Sequence, residues 1–176
     1  NIYLICNGEI YNHKELTDIL NITPTSRSDC EIIIYLYKRY GIEQTLQMLD
    51  GVFAFVLIDT EKKHIFVARD TYGVRPLFIN TFKTFTGGGK QDYTSYAFAS
   101  EVKCLLKIGN PYEQNIRQFE PGFFSVFKYN ETLKTHSDTT YTDIVHIDDY
   151  CFSCPNSFCT LYNANHFEIL KNIYNK

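Results

Sequence analysis

The first stretch of the chain that could do chemistry is Cys6-Asn7-Gly8-Glu9, which directly follows the apolar run 2–5. Asn and Gly both tolerate positive φ, so this pair alone predicts a tight turn at the end of a strand. The side-chain amide of Asn7 and the backbone N–H of Gly8 are also donors that could converge as an oxyanion hole. The stretch therefore indicates either a simple turn or a site for a carbonyl substrate.

Two carboxylates could complete such a site. Glu9 lies directly beside the donors, and Asp29 stands at the start of a predicted helix behind a polar loop. Together they could hold an ammonium group. An acid in the first turn of a helix is also stabilised by the helix dipole without any ligand. Taken alone, the residue pattern favours this structural role for Asp29.

Hydrophobic periodicity predicts the helices and the first strand that position these residues. Tyr3–Cys6 is a buried strand. Asn12, with Glu15 three residues later, is expected to cap a first helix, and Ser28 with Glu31 forms the capping-box pattern of a second. The second helix is expected to stop at Gly41 and to be followed by a short helix over 42–49.

The remaining chain favours strands, so we expect a mixed α+β architecture. The run 52–58 is apolar on both faces, as in a sheet packed between two layers, and 64–69 is its return strand in a hairpin. Further strands are predicted at 76–82, 96–100 and 123–129, with a polar, Gly-rich loop over 84–95 and a terminal helix over 167–174.

Composition narrows the possible function classes. The 176 residues carry a formal net charge of −3 with both signs interspersed, so neither a nucleic-acid nor a membrane-surface partner is expected. No apolar run is long enough to span a bilayer. Six cysteines are too few for a disulfide scaffold of this length, which favours a reducing, cytoplasmic setting. The start inside a strand-like run, without Met, suggests a fragment.

Five motifs in order carry a resemblance to a known family. They lie at 7–13 (NGEIYNH), 28–31 (SDCE), 49–55 (LDGVFAF), 69–77 (RDTYGVRPL) and 99–101 (ASE). Over residues 1–129 the chain resembles the glutamine amidotransferase domain of the glutamine-hydrolysing asparagine synthetases. Amidophosphoribosyltransferases share the fourth motif, as an Arg-Asp-x-x-Gly-x-Arg-Pro-Leu pattern, and they stay as an alternative.

The resemblance implies an N-terminal-nucleophile hydrolase fold, a four-layer αββα sandwich of antiparallel sheets that is partial here. In that family an N-terminal cysteine attacks the side-chain amide of L-glutamine, ammonia leaves, and water releases glutamate from the thioester. Asn7 and Gly8 match the oxyanion-hole pair. Glu9 and Asp29 match the acids that hold the α-amino group of glutamine.

Several family parts have no match in the sequence. The nucleophilic cysteine and a carboxylate-binding arginine belong upstream of Asn1, so Cys6 and Cys30 are expected to be core residues. Arg69 and Arg75 are expected to make structural hydrogen bonds or domain contacts. The ATP-binding loop is also missing, so ATP and Mg²⁺ are expected only in a synthetase domain, acting in cis or in trans.

The tail is less informative. We expect an amidotransferase domain over 1–142 and a divergent tail or truncated synthetase region over 143–176, with a homodimer as one possible assembly. The tail residues His146, Cys151, Cys154, Cys159 and His166 could ligate zinc, but their spacing lacks a second matching pair, so no metal is expected. The alternative to an enzyme is a non-catalytic remnant or interaction module that keeps the fold.

Overall fold

A computed structural model of the protein describes residues 1–86, 90–109, 112–134 and 140–152. The helices are α1 (His13–Leu20), a short 3₁₀ helix (Asp29–Glu31), α2 (Ile32–Met48) and α3 (Val102–Leu105). The strands are β1 (Ile2–Ile10), β2 (Gly51–Asp59), β3 (His64–Arg69), β4 (Phe78–Thr86), β5 (Lys90–Ala99), β6 (Gln114–Gln118), β7 (Phe123–Lys134) and β8 (Thr140–Cys151).

The strands form two antiparallel sheets. The larger sheet has the order β1-β2-β3-β7-β8, which places β1 at one edge, and the smaller sheet has the order β5-β4-β6. The β1–β2 register is regular from Ile2↔Asp59 to Ile10↔Gly51. The candidate residues on β1 therefore lie at an edge of the larger sheet.

Strand β2 separates two apolar cores, because successive side chains of a strand point to opposite faces. Phe53, Phe55 and Leu57 pack toward α1 and α2, while Ala54 and Val56 pack between the two sheets. The prediction that 52–58 lies between two layers is confirmed. The α+β fold class is confirmed as well, and in the described residues the outer face of the smaller sheet carries only α3 as a helix.

The predicted turn at Asn7-Gly8 is wrong. Strand β1 continues through both residues to Ile10, and neither residue has a positive φ. The reason is long-range pairing, since Asn7 is opposite Ala54 and Gly8 is opposite Phe53. The ladder to β2 outweighs the local turn preference of the pair.

Both predicted side-chain caps are also wrong. Neither Asn12 nor Ser28 makes a side-chain cap hydrogen bond. The Asn12 amide instead donates to the carbonyl of Met48 (2.9 Å) and accepts from the N–H of Asp50 (3.0 Å), so it joins the start of α1 to the turn before β2. Tertiary partners have replaced the local ones.

The carboxylate of Glu31 organises the loop that precedes it. It accepts the backbone N–H and the hydroxyl of both Thr25 and Ser26, and the hydroxyl of Tyr35. The hydroxyl bonds from Ser26 and Thr25 are the main causes that lower the pKa of Glu31 to about 2.

We expect Glu31 to contribute to stability only where it is ionised. Because its pKa is lower in the folded than in the unfolded protein, this contribution is present above about pH 4.5 and is lost as the pH falls toward about 2. As the pH falls from about 4.5 to about 2, the free energy of unfolding should therefore decrease less in the Glu31→Gln variant than in the wild type. Urea unfolding at several pH values measures this, with the exposed acid Glu43→Gln as control; equal losses in wild type and Glu31→Gln would contradict it.

Other segments differ from the sequence-based expectation in extent. Strands β4 and β5 extend well into the predicted loop 84–95 and pair as far as Thr86↔Lys90, and β6 and β8 had no predicted counterpart. Strand β8 pairs with β7 across position 142, so the larger sheet continues to Cys151. The predicted helix 167–174 lies outside the described residues.

Candidate active site

The pleat of β1 divides the candidate residues into two groups. Asn7 and Glu9 are exposed on the face that looks away from the helices, whereas Cys6 and Gly8 are half-buried and Ile10 is buried. Because side chains alternate along a strand, Asn7 and Glu9 must point to the same side. The structure therefore brings the amide predicted to line an oxyanion hole and one of the two predicted acids onto one surface.

The Asn7 amide lies at the mouth of a small cavity. Its Nδ2 donates to Oγ of Ser100, the residue after β5, at 3.1 Å. The cavity has a volume of about 120 Å³ and lies where β1 meets the smaller sheet. Besides Asn7 and Ser100, its lining is mostly apolar and includes Ile5, Ala54, Val56, Leu77 and Phe98. A polar donor at an apolar cavity is an arrangement suited to binding a small polar group.

The backbone N–H of Gly8 points to the outer edge of the sheet. The N–H of Ile10 donates to Oδ2 of Asp29 (2.6 Å) on that edge, while the N–H of Tyr11 donates toward β2, to the carbonyl of Asp50 (2.7 Å). N–H groups two residues apart in a strand point the same way. Gly8 therefore directs its N–H away from β2, to the edge where Asp29 lies.

Gly8 is required by the closeness of β2 and not by its own dihedral angles. A Cβ on Gly8 would lie 2.4 Å from the carbonyl oxygen of Val52, and one on Gly51 would lie 2.2 Å from that of Glu9. Both distances are far below van der Waals contact. The two glycines let the strands approach closely at the point where the Gly8 N–H is displayed.

Asp29 has a structural partner in this arrangement. Its carboxylate is half-buried and holds the N–H of Ile10, so it fastens the end of β1 to the start of α2. The location beside Gly8 is compatible with the predicted binding role, which stays a prediction. The structural role of Asp29 also differs from that of the simple first-turn acid expected from sequence, because its carboxylate binds the N–H of a distant strand.

Arg75 is a site residue that sequence reasoning missed. Its guanidinium contacts Oε1 of Glu9 at 3.1 Å, and the side chains of Arg75 and Glu9 are 33% and 64% exposed. The Nε of Arg75 is buried and has no acceptor within the described residues. The Arg-Asp-x-x-Gly-x-Arg motif marked Arg75 as a family residue. No local sequence pattern indicates, however, that this second arginine of the motif reaches β1.

Arg69 and Asp70 build the turn that carries Arg75. The guanidinium of Arg69 donates to the carbonyls of Gly73, Arg75 and Phe119 at 2.6–2.8 Å, in agreement with the structural role predicted for it. Asp70 is 2% exposed, and its carboxylate accepts several backbone N–H groups of the same turn. The turn is therefore held by buried charge-assisted hydrogen bonds.

Cys6 does not have the properties of a nucleophile. A hydrogen bond with the Cys30 thiol, followed by burial, raises the pKa of Cys6 above its usual value, so the thiol stays protonated. Cys30 is buried, and its Sγ lies 3.7 Å from the carbonyl oxygen of Gly8. Both side chains pack against the core under the helices, as predicted.

The tail residues that could have ligated zinc are only partly described, so the expectation that no metal binds stays a prediction. His146 and Cys151 lie on β8, whereas Cys154, Cys159 and His166 lie outside the described part. Within the described ranges no three His, Cys, Asp or Glu side chains form a cluster that could hold a metal ion. His146 instead contacts Asp149 at 3.1 Å, and Asp149 accepts the hydroxyl of Ser125.

None of the helices in the described ranges is long and apolar enough to cross a membrane.

The two stacked antiparallel sheets, with α1 and α2 packed on the larger one, form the fold of the N-terminal-nucleophile amidotransferases. The chain belongs to the glutamine amidotransferase domain family, whose model matches residues 1–149. It is similar to the glutamine-hydrolysing asparagine synthetases of Homo sapiens (44% identity over 139 residues, 77% of this chain and 23% of that protein) and Gallus gallus (40% over 151 residues, 85% and 25%). It thus spans about a quarter of the length of these relatives.

Solved structures show the same fold. Glutamine phosphoribosylpyrophosphate amidotransferase from B. subtilis matches with a TM-score of 0.55 at 23% identity, covering 81% of this chain and 28% of that one. A structure described as the allosteric regulatory enzyme of purine biosynthesis matches with a TM-score of 0.56 at 24% identity, covering 82% and 28%. At these identities the likeness concerns the fold alone.

Proposed function

We propose that the chain is the glutaminase portion of a glutamine-dependent asparagine synthetase. Glutamine would be hydrolysed to glutamate and ammonia, and the ammonia would serve the ATP-dependent amidation of aspartate in a synthetase domain, in cis or in trans. The observation that carries the proposal is the pair of donors on β1, with the Asn7 amide at the cavity and the Gly8 N–H directed away from β2. The similarity to asparagine synthetases supports the choice of this amidotransferase.

The chemistry assigns the donors one task. A cysteine thiolate outside these residues attacks the amide carbon of glutamine, and the negative charge that develops on the carbonyl oxygen is stabilised by Asn7 Nδ2 and the Gly8 N–H. The C–N bond then breaks as the nitrogen takes up the proton that the thiol lost, so ammonia leaves and a thioester remains. Water adds to the thioester at the same place and releases glutamate and the thiol.

The experiment that tests this proposal is the N-terminal sequence and intact mass of the natural protein, together with a glutaminase assay on it. An N-terminal cysteine ahead of Asn1 and release of ammonia from glutamine are the expected results. A natural chain that starts at or near Asn1, or that leaves glutamine intact, would overturn the enzyme assignment in favour of a non-catalytic relative.

Asp29 is proposed, with Glu9, to bind the α-ammonium group of glutamine. We expect Asp29→Asn to raise the KM for glutamine about tenfold or more with a smaller change in kcat, because a charge-assisted contact to the substrate is lost. The neutral amide can still accept the N–H of Ile10, which keeps β1 in place. Steady-state kinetics with Asp18→Asn as a control on α1 measure this; an unchanged KM would leave Asp29 only its structural hydrogen bond.

The remaining parts of the proposal concern the cofactors, the location, the assembly and the domain limits. ATP and Mg²⁺ are proposed to bind in the synthetase domain, and no step is assigned to them here. We further propose a cytoplasmic location and keep a homodimer as one possible assembly. The domain limits near 1–142 and 143–176 also stay a proposal, with β8 crossing the limit.

A further inference from the structure

The Ala99-Ser100-Glu101 motif has no task in the function proposed above, yet the structure places its serine at the site. Oγ of Ser100 is the acceptor for Nδ2 of Asn7 at 3.1 Å. The two residues are 93 positions apart: Asn7 lies on β1 of the larger sheet, and Ser100 directly follows β5 of the smaller sheet. The contact is thus a product of the fold and is not a local backbone turn.

An asparagine on an open strand face has two freedoms that weaken it as an oxyanion donor. Its side chain rotates about χ1 and χ2, and its amide presents either the nitrogen or the oxygen to the cavity. A carbonyl oxygen turned toward a developing oxyanion would repel it. One acceptor that holds Nδ2 removes both freedoms and still leaves the second amide hydrogen for the substrate.

Ser100 is well placed to be that acceptor because its own position is fixed. The preceding residue, Ala99, pairs with Phe78 in the smaller sheet, and the α3 helix starts two residues later with Leu105 buried beneath it. The hydroxyl therefore sits on a rigid connection between strand and helix. Both Ser100 and Asn7 line the same cavity.

We propose that Ser100 is a positioning residue that holds the Asn7 amide with its nitrogen toward the reacting oxygen. This inference rests on the proposed glutaminase function. Ser100 acts through Asn7 and has no assigned contact with the substrate. The consequence is a defect in the chemical step with little change in glutamine binding.

The test is a double-mutant cycle on glutamine hydrolysis by the complete natural protein. Ser100→Ala should lower kcat about five- to tenfold, the scale of one neutral hydrogen bond, with KM changed less than about twofold. Ser100→Thr keeps the hydroxyl and should restore activity. Ser100→Cys keeps the volume with a weak acceptor and should resemble Ser100→Ala, which also covers the case in which Ser100→Ala folds poorly.

The decisive readout is the coupling to Asn7. In an Asn7→Ala background, Ser100→Ala should have no further effect, because the group that it positions is gone. If the double variant lost activity by the product of the two single losses, or if Ser100→Cys were as active as the wild type, the positioning role would be overturned. The proposed function would stay intact in either case. A protein that does not hydrolyse glutamine would overturn both. A fully active Asn7→Ala variant would overturn the positioning role alone, because the oxyanion would then be stabilised elsewhere.

Discussion

Replacing Asn7 by alanine is expected to lower kcat for glutamine hydrolysis about 100- to 1000-fold, the usual effect of losing one oxyanion-hole donor. The amide is exposed on β1 beside the cavity. Among the described residues, its hydrogen-bond partner is the hydroxyl of Ser100. The substitution should therefore leave the fold unchanged. KM should change little, because the interaction strengthens only as charge develops on the oxygen.

The matched control is Asn115→Ala, an asparagine exposed on strand β6 of the other sheet. It removes the same chemical group at a position remote from the cavity and should keep full activity. The measurement is ammonia release under saturating glutamine, with thermal unfolding of each variant to verify the fold. An Asn7→Ala enzyme within a few-fold of the wild type would show that the oxyanion is stabilised elsewhere.

The sequence predicted which residues form the candidate site, but it did not predict the local structure that carries them. Asn7-Gly8 has the composition of a turn, yet it lies in a strand because the backbone of β2 approaches within a distance that excludes a Cβ at Gly8. Nothing local encodes that approach. The sequence favoured glycine here for a turn, whereas the structure requires it because a partner strand more than forty residues later lies so close.

Tertiary contacts also explain why the two predicted helix caps were wrong. Local rules assigned Asn12 and Glu31 to helix starts, where their side chains would satisfy nearby N–H groups. In the folded chain Asn12 meets Met48 and Asp50 instead, and Glu31 meets the loop at Thr25 and Ser26. Polar side chains take the best available partner in the tertiary structure, and short-range patterns cannot rank distant ones.

Arg75 and Ser100 show what motif reasoning can and cannot supply. Both lie in motifs that were recognised as family signatures, but their contacts with Glu9 and Asn7 span 66 and 93 positions. Such contacts depend on how the two sheets are stacked. By contrast, the buried run of β2 was predictable, because its apolar character on both faces is a property of the segment itself.

The second large effect is expected at Asp70, where Asp70→Ala should reduce the free energy of unfolding by about 3–5 kcal/mol. The carboxylate is buried and accepts the N–H groups of Tyr72 and Val74 on Oδ1 and of Phe53 and Arg75 on Oδ2, at 2.9–3.3 Å. Alanine would leave these donors without that acceptor in a site closed to water.

The loss is increased by the neighbouring charge. Burial lowers the pKa of Arg69, and the negative charge of Asp70 opposes this effect. Removing the Asp70 carboxylate therefore leaves a buried guanidinium without that compensation. Asp70→Asn keeps the size and one acceptor oxygen and should fall between alanine and the wild type. Urea unfolding measures all three proteins, with Asp50→Ala as the control at an exposed acid. A loss below about 1 kcal/mol for Asp70→Ala would mean that water replaces the carboxylate and that the Arg75 turn does not depend on it.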